Sequence, residues 1–189
     1  MKYEPYLETA SGKHLYFLDP QPEQIDIRDI ALALSRVHRF NGHTTKPMTV
    51  AEHCWAGARY IEDQYKLSFL LHDAAEAYLC DIPSPVKQYI PEYKKIERGL
   101  MGAIATKFGC NFESDMVKYY DLVLLSNEAH HLTKSQGNDW NIWKQVKRPT
   151  ISAEFKPLCL EPEVARLVFL ELFYELHGDS GTDRLAKAA

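Results

Sequence analysis

Leu70-Leu71-His72-Asp73-Ala74-Ala75-Glu76-Ala77 places an imidazole beside a carboxylate inside an apolar run, with a second carboxylate four residues after the histidine. Wound as a helix, the run puts His72 and Glu76 on one face and Asp73 about 100° round from His72, so that all three can rim one cavity. Burying a carboxylate next to an imidazole is costly unless a metal or a donor offsets it. The bland alternative, a solvated patch on an amphipathic helix, has little polar face to occupy, because Leu70, Leu71, Ala74, Ala75 and Ala77 are apolar. The chemistry implied is metal binding or catalysis.

Two other stretches offer polar groups directed inward. Thr49-Val50-Ala51-Glu52 has the form of a capping box, Thr49 as N-cap and Glu52 reaching back. The helix it starts carries Val50, His53, Cys54, Gly57, Ala58 and Ile61 on one face, which turns His53 toward the core; standing alone, it reads as a satisfied core histidine. Asp121 lies between Tyr120 and Leu122, an awkward place for an unpaired carboxylate, with Glu128 two turns further on and better read as a structural pairing partner. Together His53, His72, Asp73 and Asp121 make a mixed nitrogen and oxygen site on three helices. It suits divalent zinc, iron, manganese, cobalt or nickel and is too nitrogen-rich for calcium.

The elements that must hold these groups are mostly helical. Residues 3–22 read as a short strand or hairpin arm closed by Asp19-Pro20. A helix follows, with Asp26 to cap it, Asp29 three residues on, and Ile27, Ile30, Leu34 and Val37 as its apolar stripe. Residues 38–47 have no sustained period and read as a loop rich in hydrogen-bond donors. The His72 run is predicted as one helix over 67–78, closed by a rigid turn at Pro83 and Pro85. Further helices are predicted over 92–108 with Gly109 as C-cap, over 115–132, and from Pro162 to Gly178. Residues 1–178 are expected to form one domain and 179–189 a flexible tail.

The 189 residues can bury a substantial core, and the net charge of −4 argues against a dedicated binder of duplex nucleic acid or of an anionic membrane. Cys54, Cys80, Cys110 and Cys159 are scattered and form no CxxC pair, as expected of thiols in a reducing compartment. No run approaches a spanning helix. A soluble cytoplasmic protein is expected, in the host cytoplasm if the chain is phage-encoded.

The order of the motifs carries a resemblance. A histidine, then His72-Asp73, then a distant Asp121 resembles the HD-domain superfamily of metal-dependent phosphohydrolases. Arg39-Phe40-Asn41-Gly42-His43, Val50-Ala51-Glu52-His53, Leu70 to Glu76, Asp81-Ile82-Pro83-Ser84-Pro85-Val86-Lys87, and Asp121 with Glu128 resemble its deoxynucleotidase-like branch. Thr9-Ala10-Ser11-Gly12-Lys13 with Phe17-Leu18-Asp19-Pro20 is similar to small phage HD-domain proteins, including phage dATP triphosphohydrolases.

The resemblance implies an all-α HD-domain bundle with a short N-terminal extended or hairpin segment. It implies that His53, His72, Asp73 and Asp121 hold one divalent ion (Zn, Mn, Co, Fe or Ni), with Mg able to enter as a second, substrate-bound ion. Glu76 would orient or deprotonate the attacking water, or else accept a hydrogen bond from a ligand histidine. Asp81 would stand near the sugar or that water, or form an Asx turn before Pro83. Arg39 would touch phosphate and Phe40 wall the sugar or base, while His43, Lys46 and Lys87 could add donors to a polyphosphate. The reaction implied is hydrolysis of a deoxynucleotide at the alpha phosphorus, the preferred substrate being dATP, giving deoxyadenosine and triphosphate. The alternatives are a 5'-deoxynucleotidase acting on monophosphates, expected if only Arg39 reaches the phosphate, and a nucleotide sensor without catalysis. Relatives of this kind assemble as dimers or larger oligomers, so a homo-oligomer is expected; no nucleic-acid polymer or membrane partner is.

Overall fold

The structure is a computed structural model that describes residues 5–178. Tyr3, assigned to the hairpin, and the expected tail 179–189 lie outside the described residues.

The N-terminal aromatics pair as expected. Strands β1 (Tyr6–Glu8) and β2 (His14–Tyr16) are antiparallel, with Tyr6 opposite Tyr16 and Leu7 opposite Leu15. Their turn needs the left-handed backbone of Gly12, at φ 81°. Alternation sends Leu15 into the core with no exposed surface.

Helix α1 (Ile27–Leu34) starts where Asp26 accepts the Arg28 N–H at 3.0 Å. Asp29 takes no part in that cap. Its carboxylate accepts from the Ser11 N–H at 2.8 Å and the Ser11 hydroxyl at 2.6 Å, seating the hairpin turn on α1. Val37 lies beyond the helix, which stops at Leu34, and its carbonyl instead accepts the Val50 N–H.

Helix α2 (Val50–Ala58) begins as predicted, with the Thr49 hydroxyl accepting the Glu52 N–H at 3.1 Å. Glu52 itself does not complete the box, because it is drawn to a chain segment far away in sequence. It accepts the N–H groups of Leu158, Cys159 and Leu160 at 2.8, 2.9 and 2.7 Å. At Gly57 α2 comes so close to its neighbours that a Cβ would meet the Phe69 ring at 2.1 Å and Leu124 at 2.7 Å.

The helix predicted over 67–78 is not continuous. Helix α3 (Lys66–Leu70) ends at Leu71, turns occupy 71–75, and α4 (Glu76–Leu79) resumes. In between, Ala74, Glu76 and Ala77 donate to carbonyls three residues back, and His72 folds its own Nδ1–H onto the Phe69 carbonyl at 2.6 Å. Such tight turns present side chains about 120° apart, so the face-sharing of a regular helix does not apply here.

Cys80, at φ 65°, closes α4. The proline-rich turn that follows leads directly into the short helix α5 (Ser84–Lys87). Helix α6 (Pro91–Phe108) opens on its proline and closes on Gly109 at φ 68°. Helix α7 (Asp115–Leu132) is capped by the Ser114 hydroxyl, and α8 (Pro162–His177) stops at Gly178.

Among the described residues the fold is therefore a bundle of eight α-helices with one short hairpin. α2 lies against α3, α7 and α8, and α1 against α4 and α8. One apolar cluster runs from Leu15 through Ile30, Phe69, Leu100 and Phe169 to Tyr174. The four cysteines are all unpaired. No helix of the described residues is long and apolar enough to cross a membrane.

Candidate metal centre

Three elements deliver donors to one point. His53 comes from the middle of α2, His72 and Asp73 from the turns after α3, and Asp121 from the second turn of α7. The Nε2 atom of His53 is 3.4 Å from Nε2 of His72, 3.7 Å from Oδ2 of Asp73 and 3.2 Å from Oδ1 of Asp121. The Nε2 atom of His72 is 3.3 Å from Asp73 Oδ2 and 3.8 Å from Asp121 Oδ1. Metal–ligand bonds of about 2.0–2.2 Å place neighbouring donors roughly 2.8–3.6 Å apart in tetrahedral or octahedral shells. The separations match that spacing to within a few tenths of an ångström. His53, His72 and Asp73 thus form a cluster able to hold a divalent ion, whose identity the donor set leaves open.

The two imidazoles are oriented from behind. His72 Nδ1 faces the Phe69 carbonyl, which can only accept, so Nδ1 carries a proton and Nε2 is the nitrogen turned to the cluster. His53 Nδ1 donates to Glu128 Oε1 at 2.5 Å, which likewise leaves Nε2 facing inward. Glu128 is 1% exposed, and its other oxygen accepts from Nε and Nη2 of Arg39 at 3.2 and 3.1 Å. The Nη1 atom of Arg39 is 3.7 Å from Asp73 Oδ2. One buried carboxylate therefore fixes both a histidine of the cluster and the guanidinium beside it, the structural pairing expected of Glu128.

The electrostatics reflect concentrated negative charge. Burial would raise Asp121, but the imidazoles of His53 and His72 beside it hold it well below the usual carboxylate range, although its side chain is 40% exposed. Burial lowers His72, yet Asp73 beside it and Asp121 push it well above an ordinary histidine. His53 is raised for the same reason by Glu128 and Asp121, against burial and Arg39. Burial also pushes Glu76 up to about 9, with Asp73 and Asp81 adding to the effect and Lys87 and Arg39 opposing it. Asp81 is raised by burial, against Arg39.

The remaining residues named from the sequence fall into two groups. Glu76 is buried beside this charge, with Oε1 accepting from Lys87 at 3.3 Å and Oε2 buried without a partner. Phe40 follows Arg39 in a left-handed conformation (φ 54°), its ring centre 5.6 Å from the guanidinium carbon. Lys87 is engaged by Glu97 at 2.9 Å as well as by Glu76, so its ammonium is held between two carboxylates. His43 and Lys46 are exposed, and no hydrogen bond or ion pair among the described residues joins them to the cluster. Thr45, between His43 and Lys46, donates to the Leu132 carbonyl at the far end of α7. The partner roles of Glu97 and Glu52 had no local signal, since each partner is held by tertiary contact.

No family model matches the chain. Over 172 residues it is 34% identical to the uncharacterized protein YfdR of Escherichia coli (strain K12), an alignment covering 90% of this chain and 95% of that protein. The chain belongs to the YfdR family. A second relative, an uncharacterized protein of Rhodobacter capsulatus, is 40% identical over 109 residues, covering 52% of this YfdR-family chain and 56% of the relative.

Proposed function

We propose that this protein is a divalent-metal-dependent phosphohydrolase that cleaves deoxynucleotides at the alpha phosphorus, as the resemblance to the deoxynucleotidase-like HD-domain proteins implies. The observation that supports this reading is the convergence of the His53, His72, Asp73 and Asp121 donor atoms beside the buried guanidinium of Arg39. A bound divalent ion supplies a lowered pKa for coordinated water and polarisation of the phosphoryl group.

The chain's own residues do the rest. Arg39, held flat by Glu128, offers its Nη1 side to a phosphate oxygen and meets the charge that builds there. Glu76 has a buried, unpartnered oxygen with which to take a proton from the attacking water. Burial holds its carboxyl up to about 9 even with Lys87 and Arg39 beside it, so the charge of a bound divalent ion would be needed to ionise it near neutral pH. Phe40 walls the sugar or base, and Asp81 borders the same space.

The preferred substrate is dATP, by resemblance of the N-terminal segment. Hydrolysis of a deoxynucleoside monophosphate is the second reading. It is favoured by the engagement of Lys87 with two carboxylates and by the exposure of His43 and Lys46, which no hydrogen bond or ion pair among the described residues joins to the cluster. A panel of deoxy- and ribonucleoside mono-, di- and triphosphates with manganese, cobalt or zinc separates the two. Intact triphosphate with deoxyadenosine from dATP supports the first, and phosphate from monophosphates alone supports the second. Tight binding with no hydrolysis of any substrate would overturn both.

A further inference from the structure

Beside the cluster lies an aromatic pair that the core does not use. The Phe40 and Trp140 rings have centres 5.7 Å apart and planes inclined at 52°. Both rings are half-buried, and neither belongs to the apolar cluster that fills the fold. Phe40, Asn41 and Gly42 all lie in the left-handed region, at φ 54°, 53° and 77°. For a phenylalanine that backbone costs free energy, so the tertiary structure must hold it there. Its consequence is a ring placed against the Arg39 guanidinium and the Trp140 indole.

Trp140 is held with equal care, from the helix that carries Asp121 and Glu128. Arg148 donates to the Ser126 hydroxyl and carbonyl on α7 at 2.9 and 3.2 Å, and to the Gln136 carbonyl and the Asn138 side chain at 2.7 and 2.9 Å. Gly137 (φ 67°) is packed so closely that a Cβ there would sit 2.7 Å from the Ala129 methyl, and its carbonyl accepts the Trp143 indole N–H at 2.8 Å. This anchoring spans the segment from residue 136 to 148, and Trp140 stands within it.

We infer that Trp140 is a specificity-determining residue, closing with Phe40 an aromatic corner that receives the nucleobase of a nucleotide whose phosphate lies at Arg39. The inference rests on the proposed function and adds to it the residue that reads the base. Two inclined aromatic faces beside a guanidinium suit a planar heterocycle joined through a short sugar to an anion. Stacking of this kind does not select by hydrogen bonding; it favours the larger purine ring over a pyrimidine.

The test uses the full-length, metal-loaded protein and three probes that cannot be hydrolysed: deoxyadenosine, deoxycytidine and inorganic phosphate, with binding read by calorimetry. Trp140→Ala should weaken deoxyadenosine on the order of tenfold, weaken deoxycytidine less, and leave phosphate unchanged. Trp140→Phe should restore most of the affinity, which separates the ring's contact with the base from any loosening of the segment. Unchanged deoxyadenosine binding in Trp140→Ala would overturn the inference, as would wild-type protein that binds phosphate and neither nucleoside, a result that leaves phosphoester hydrolysis standing. Wild-type protein that binds none of the three would remove the proposed function and the inference together.

Discussion

Glu52 on α2 and Glu128 on the neighbouring α7 are each 1% exposed, and they are satisfied in opposite ways. In the first, the rear arrangement, Glu52 is met by three neutral backbone N–H groups of residues 158–160. In the second, the front arrangement, Glu128 is met by an imidazole and a guanidinium. The rear arrangement fastens one piece of chain to another and is complete. The front arrangement transmits orientation to groups whose remaining valences face a common point. Buried charge by itself does not mark a functional centre; charge whose partners still have donors or lone pairs to offer does.

The largest effects should come from breaking the front. Asp73→Ala or His72→Ala should abolish both stoichiometric metal retention and turnover, read by elemental analysis and product assay on variants confirmed folded by circular dichroism. Glu76→Gln should keep the metal and slow the chemical step by roughly 10²- to 10⁴-fold; a wild-type rate would take Glu76 out of the proton-accepting role. Glu128→Gln should weaken metal binding by about 10- to 100-fold, because an amide has one acceptor oxygen and cannot accept from both His53 and Arg39, so its NH2 is set against one of these donors. A metal affinity equal to wild type would erase the distinction drawn between front and rear.

Breaking the rear should leave chemistry alone. Glu52→Gln keeps the shape but weakens bonds to three N–H groups, so a loss of about 1–3 kcal/mol is expected in denaturant unfolding, with metal content and kcat/KM near wild type. A large fall in metal content with unchanged stability would contradict that assignment. The smallest expected effect is at the hairpin end. Burial acts to raise Asp26, but the hydrogen bonds from Arg28 outweigh it, with Lys13 adding, and lower it from 3.8 to about 2. A carboxyl depressed in the folded state contributes stability above its unfolded value and loses it as pH falls through the folded one. Asp26→Asn should therefore flatten the decline in stability between about pH 4 and pH 2, followed by thermal unfolding at stepped pH.

The elements that could be read from the sequence are those whose cause is local. Thr49, Gly109 and Pro162 act within one turn of their helix ends. The break at Leu71 could not be read this way. The run from Leu67 to Tyr78 has helical composition, and the interruption follows from His72 turning onto the Phe69 carbonyl as it joins the cluster. Asp29 and Glu52 read as local cap residues because their partners lie 18 and 106 residues away. The grouping of His53, His72 and Asp73 was legible, because each is a polar group set among apolar neighbours in the sequence. The Phe40–Trp140 corner was not, since a hundred residues separate its halves.

The most direct test is the metal content per chain of purified protein reloaded with manganese, cobalt or zinc, compared between wild type and Asp73→Ala. One tightly held ion per wild-type chain and none in the variant is the expected result. Equal metal content in the two proteins, or none in a folded wild-type protein at saturating metal, would contradict the assignment of this cluster as a metal centre.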